Sequence, residues 1–226
     1  MKPPSIPLIL STTGGYVDTA SFLGLQGLFT AHVTGNFVTL GAALVFGTSG
    51  VLAKLMALPV FCATVALVRV AGLLLARRSI GELAPLLGAK AVLLVLGAAL
   101  AIGLGPFPDG DKWPALLTGM TLVVAMAVQN AAHRLHLSSA PPTTLMTGNT
   151  TQIMIDAVDL LRGGAGEQRA QLAGRMSRMA GSVAAFAFGC AAAALLFHYV
   201  GDACLVVPPA LALLAMRMAA RAARLR

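Results

Sequence analysis

The chain has 226 residues, 58% of them hydrophobic and 11% charged, against roughly 45–50% and 25% in soluble domains. That balance excludes a soluble domain and implies an all-α integral membrane protein, a single membrane domain over 1–226 with room for about six spans of about 20 residues. The net charge of +8 does not signal nucleic acid, because the basic residues are scattered at the ends of apolar runs instead of gathering on one face.

At the start, Met1-Lys2-Pro3-Pro4 supplies one positive charge and no small-residue cleavage site precedes Ser11-Thr12-Thr13, so no cleaved signal peptide is expected. Six apolar segments follow, at about 5–30, 51–76, 91–107, 115–132, 176–199 and 203–219. Gly, Pro and charges separate them: Thr48-Ser49-Gly50, an Arg77-to-Lys90 loop, Pro108 to Pro114, the 133–146 stretch, Gly163 to Arg175, and a Gly201-Asp202 turn. Small residues recur along 176–199, including Gly181 and Gly189, and predict close helix packing. Cys62, Cys190 and Cys204 form no CxxC or His-paired pattern, so neither a disulfide framework nor a metal site is expected.

The two halves share a motif. Thr34-Gly35-Asn36 and Thr147-Gly148-Asn149 lie 113 residues apart, and Asp18 and Asn130 upstream of them lie 112 apart. Each tripeptide precedes an apolar stretch too short to span comfortably, Phe37 to Phe46 and Ile153 to Leu161. This pattern predicts two repeats, about 5–107 and 115–219, each with three spans and one re-entrant half-helix.

Lys and Arg set the expected orientation. Thirteen of them, Lys90 included, are assigned to one side, with Lys54 and Lys112 opposite and Arg69 inside a span. Both termini are then cytoplasmic, both tripeptide segments are re-entrant, and the repeat is inverted. The half-helices would dip from opposite faces and meet near the midplane. Ser138 to Thr144 is expected to form an extended arm leading to Thr147.

Thr34 and Thr147 carry the oxygen a helix N-cap needs, and the Gly and Asn that follow let backbone approach a ligand. A half-helix N-terminus favours an anion or a carbonyl-bearing solute. Asp18, a carboxylate within a membrane segment, marks a pathway or a proton site. Asn130 is its neutral counterpart beside Gln129, and His32 is a second proton site. The expected solute-binding set is therefore Asp18, Thr34, Gly35, Asn36, Gln129, Asn130, Thr147, Gly148 and Asn149. Asp156 and Asp159 are expected on one hydrated face of the second half-helix. No catalytic constellation occurs, so no enzyme, cofactor or metal is expected.

Gly15-Tyr16-Val17-Asp18, Phe22-Leu23, Leu28-Phe29, Val33-Thr34-Gly35-Asn36, Gln129-Asn130-Ala131-Ala132 and Met146-Thr147-Gly148-Asn149 together resemble the YoaK-like family of small bacterial inner-membrane proteins, a group defined as a domain of unknown function. The resemblance implies a multi-pass bacterial inner-membrane protein of about six spans and supplies no substrate. The residues point to a transporter of a small anion or polar neutral molecule. An aquaporin-like channel and a non-transport membrane scaffold are the alternatives. The expected partners are the bilayer, the solute and a second copy in a homo-oligomer.

Overall fold

The computed structural model describes residues 5–75, 83–162 and 166–224. Lys2, Arg77, Arg78, Gly163, Gly164 and Arg226, which entered the expected loops and orientation, lie outside the described residues. Within them the protein is helical, without a strand: α1 (Ile6–Gly24), α2 (Asn36–Phe46), α3 (Val51–Leu75), α4 (Leu83–Leu104), α5 (Trp113–His136), α6 (Met146–Leu161), α7 (Gly166–Val200) and α8 (Val207–Arg224). One 3-10 turn, Val33–Gly35, leads into α2, and another, Gly201–Val206, joins α7 to α8. Four of the described stretches are long and apolar enough to cross a membrane: Val51–Leu74, Leu83–Leu104, Trp113–His136, and Gly166–Arg224, which contains both α7 and α8.

α1 lies outside that set because of Ser11, Thr12, Thr13, Asp18 and Ser21, which it keeps within the protein: all but Thr12 are fully or nearly buried. The Thr12 and Thr13 hydroxyls donate to the carbonyls of Leu8 and Ile9, one turn back, at 3.1 and 2.7 Å. A hydroxyl that finds such an acceptor is compatible with an apolar surrounding, whereas the fully buried Ser11 hydroxyl has no partner among the described residues. The expected first span over 5–30 is shorter in the structure. α1 stops at Gly24, and the left-handed pair Gln26 (φ 53°) and Gly27 (φ 79°) turns the chain.

The packing partners repeat between halves. α1 packs on α7 and α5 on α3; α4 packs on α5 and α8 on α1; α2 packs on α3 and α6 on α7; α4 and α8 pack on each other. With α1 to α4 matched to α5 to α8, every pair in this set has its counterpart. The largest core cluster joins Tyr16, Val17, Leu28 and Leu94 of the first half to Leu122, Val123 and Met126 of the second. The Tyr16 hydroxyl crosses to donate to the Cys204 carbonyl at 2.8 Å.

One end of the bundle is closed by polar contacts between segments distant in sequence. Asp111 accepts from the N–H groups of Gly50, Val51 and Leu52 at 2.7–3.1 Å and so occupies the unpaired donors at the start of α3. Lys54 donates to the Gln26 carbonyl at 2.6 Å, and Gln26 Nε2 to that of Phe107 at 2.9 Å. At this end the Asp202 carboxylate lies against both Gly24 and Gly105, where a Cβ would come within 2.4 and 2.7 Å of its oxygens.

Three expected boundaries are corrected. α4 covers Leu83–Leu104 of the described residues, with Pro85 near the start of that stretch. Lys90 is therefore a residue of the helix interior and is fully buried, not a loop residue. α7 covers Gly166–Val200 of the described residues and so is already helical ten residues ahead of the expected 176. The arm between α5 and α6 and the helix after the first tripeptide lie where they are expected, whereas α6 starts at Met146, seven residues ahead of the expected Ile153, and takes in its tripeptide.

Candidate functional site

The polar residues of the two halves gather where α1 and α5 end in non-helical chain. After α1 the backbone folds back so that the N–H groups of Thr30 and Ala31 donate to Asp18 Oδ1, at 2.8 and 2.6 Å, and that of His32 to Oδ2 at 3.0 Å. Asp18, 4% exposed, thus has three backbone donors on its carboxylate. These N–H groups belong to the loop ahead of the 3-10 turn and not to the N-terminus of α2, where the sequence placed the donors for a solute, and in this half the protein's own carboxylate takes them.

Asn36 fixes the same loop from its other side. Its amide exchanges two hydrogen bonds with the backbone of Phe29, accepting from the N–H at 2.9 Å and donating to the carbonyl at 2.8 Å. Asn149 does the corresponding thing in the second half, donating to the Pro142 carbonyl at 3.0 Å. Both bonds reach seven residues back. Both asparagines are 2% exposed, whereas Thr34, Thr147 and Gly148 face outward. Neither threonine is an N-cap: Gly35 and Leu145 hold those positions, and no side-chain bond caps either helix. Thr147 instead lies inside α6. The two tripeptides are brought onto Phe29 and Pro142, each within its own half, and α2 and α6 share no packing interface. His32 is exposed, its ring 5.8 Å from that of Phe29.

In the second half the centre is Gln129, which is fully buried. Its Nε2 donates to the Leu10 carbonyl of α1 at 3.0 Å and to Thr143 Oγ1 of the arm at 3.2 Å, while its Oε1 accepts from the Lys90 ammonium of α4. One amide therefore ties three segments to α5. Gly14 makes room for the arm, since a Cβ there would sit 3.0 Å from the Thr143 carbonyl oxygen. Beside it Asn130 Oδ1 accepts from Thr144 Oγ1 at 2.8 Å, fourteen residues on, the same separation as Asp18 to His32.

Lys90 makes no ion pair among the described residues. A buried ammonium matched only by a neutral amide is an unusual expense in a membrane helix, where ionisable groups mark pathways and binding sites. Nearby, the N–H groups of Thr143 and Thr144, residues 2% and 4% exposed, have no acceptor among the described residues. Counting from the asparagine staples these two match Thr30 and Ala31, and counting from Asn130 as the counterpart of Asp18 they match Ala31 and His32; in either register the N–H groups of the first half hold Asp18. Lys90, Thr30 and Thr143 were absent from the expected set. Pro85 and the apolar residues on both sides of Lys90 were the signals for its burial.

A family model matches residues 6–218, nearly the whole chain. The chain belongs to the DUF1275 family, described as proteins of unknown function. This agrees with the YoaK-like resemblance of its motifs. The DUF1275 segment takes in both tripeptides, both carboxamide staples and the Lys90–Gln129 pair. No curated protein and no solved structure matches the chain.

Proposed function

We propose that this DUF1275 protein is a transporter of a small carboxylate-type anion in the bacterial inner membrane. The reading includes an inverted repeat of six crossings with both termini cytoplasmic, and α2 and α6 as re-entrant helices. Its support is the matched packing of the two halves, and the meeting of the ends of α1 and α4 with the α7–α8 turn at Gly24, Gly105 and Asp202.

One observation carries the substrate class. The first half holds a carboxylate, that of Asp18, on two backbone N–H groups whose counterparts at Thr143 and Thr144 have no acceptor, and the second half has neutral Asn130 where the first has Asp18. Lys90, held by Gln129 against the same arm, lacks a counter-charge. A solute carboxylate supplies what is missing in both respects. Its oxygens accept from the arm, and its charge compensates the ammonium, which in a low-dielectric interior is a large stabilisation. The tripeptides are then the staples that shape the two broken segments and not the groups that touch the solute.

Proteoliposomes containing the protein test this with a panel of small carboxylates against polar neutral solutes of equal size. Saturable uptake of one or more carboxylates is expected. Asn130→Asp gives the second half a resident carboxylate of its own, so this variant should be at least as stable to heat as the native protein and should not transport. Movement of neutral solutes only, or native uptake by Asn130→Asp, overturns the assignment.

A further inference from the structure

We propose, resting on the carboxylate reading above, that Ser11 of α1 is a further solute-binding residue and pairs with a hydroxyl next to the carboxylate, which makes the solute a small hydroxycarboxylate.

Ser11 is fully buried, and its hydroxyl has no hydrogen-bond partner among the described residues. The next two residues show the usual recourse of a hydroxyl in this helix, for Thr12 and Thr13 donate to carbonyls one turn back. Ser11 makes no such bond. Packing does not require the group either: at the matching place in α5, 112 residues on, stands Val123, equally buried. A buried hydroxyl without a partner costs free energy unless a ligand or water completes it.

The arm between α5 and α6 covers Ser11. Leu8, Ser11 and Gly14 share one face of α1, three residues apart. Pro141 borders a cavity together with Leu8 at one end of this face. At the other end, a Cβ on Gly14 would sit 3.0 Å from the Thr143 carbonyl oxygen and 3.3 Å from Thr144 Cγ2. The helix rises about 9 Å from Leu8 to Gly14, roughly the length of extended chain from Pro141 to Thr144, so the arm runs across Ser11. Beside it, the Leu10 carbonyl receives Gln129, which also holds Thr143 and the Lys90 ammonium. The orphaned hydroxyl, the unpaired N–H groups of Thr143 and Thr144, and the uncompensated ammonium thus meet under one strap of chain.

The hydrogen-bonding capacity of these groups divides their roles. A carboxylate offers about four lone-pair sites, which the two N–H groups of the arm and the ammonium protons not used by Gln129 fill. Those groups only donate. Ser11 accepts as well as donates, and a solute hydroxyl is its full complement. The solute reaches Ser11 as the arm lifts from α1, and the arm closes over it.

Full-length protein in a neutral detergent is titrated with acids in pairs that differ by one hydroxyl: glycolate against acetate, lactate against propionate, and malate against succinate. The shift in melting temperature gives the apparent affinity of each. Ser11→Ala is measured beside the native protein. In at least one pair the native protein should bind the hydroxy acid about tenfold or more tightly than its partner, and in Ser11→Ala that advantage should vanish. Without any acid, Ser11→Ala should melt at or above the native temperature, because the hydroxyl it removes has no partner. The absence of a hydroxy-acid advantage in every pair, or an advantage that survives in Ser11→Ala, overturns the hydroxyl assignment and leaves the carboxylate reading standing. A ligand-free Ser11→Ala protein that melts well below the native one overturns it too, since the hydroxyl would then be holding the fold. No response to any of the acids overturns both.

Discussion

Gly15 of α1 and Gly189 of α7 close one helix crossing from its two sides: a Cβ on Gly15 would lie 2.2 Å from the Phe186 carbonyl oxygen, and one on Gly189 would lie 2.1 Å from that of Thr12. Both obstacles are backbone, which cannot rotate away. Gly15→Ala and Gly189→Ala should each destabilise by about 1–3 kcal/mol, as overpacking of a tight core does. Gly41→Ala, where the new methyl meets nothing within 4 Å, is the control. Unfolding temperatures in one detergent decide it, and an unshifted Gly189→Ala would contradict the close crossing.

The glycine of the second tripeptide behaves differently. A Cβ on Gly148 meets nothing within 4 Å, and the residue lies on the exposed face of α6. Gly148→Ala should therefore stabilise the protein by about 0.5–1 kcal/mol through helix propensity and leave uptake unchanged. Lost uptake in a stable Gly148→Ala protein would show that a solute approaches this backbone after all.

The Lys90–Gln129 pair should respond unequally to its two truncations. Lys90→Met leaves one buried amide oxygen unpaired, a cost of about 1–3 kcal/mol. Gln129→Leu leaves a buried ammonium without its acceptor and also strips the Leu10 carbonyl and Thr143 of their donor, so about 3–5 kcal/mol is expected. Thermal melts of the two variants give the order. A milder Gln129→Leu would mean that the ammonium finds another partner.

Acid should release α6 from α7. Asp156, buried on α6, receives the Nε and Nη2 donors of Arg175 from α7 and the Gln152 amide, and these donors hold its carboxyl below the usual carboxylate range. This corrects the expected hydrated pair, for only Asp159 is exposed. A depressed carboxyl contributes stability that is complete above its unfolded value of about 4 and is lost as pH falls through the lower folded value. The native protein should out-melt Asp156→Asn at neutral pH, and the gap should close on acidification below pH about 4. A gap that is constant with pH would assign the pair no role in holding the two helices.

The apolar helices as such, the arm and the short helix after the first tripeptide were legible in the sequence, though not the ends of α1, α4, α6 and α7, because hydropathy and Gly or Pro punctuation report directly on what a bilayer permits. Lys90 was not, since a lysine ordinarily marks the point where chain leaves the membrane, and only Gln129, 39 residues later, accounts for its burial. The matched spacing of Asp18 with Asn130 and of the tripeptides was visible, but not what the spacing serves. Asn36 and Asn149 are bonded to carbonyls seven residues back, a pairing that depends on the path of a non-helical loop and leaves no periodic trace.

The polar character of α1 bears on how the protein is made. Of the described helices α1 leaves the ribosome first, yet its buried hydroxyls and Asp18 make it a poor substrate for insertion on its own. The helices that cover it extensively, α7 and α8, come after all the other described helices in the chain. α1 must therefore wait at the insertion machinery, or at the membrane surface, until the C-terminal helices arrive, and chains truncated before α7 should be the ones that quality-control proteases remove.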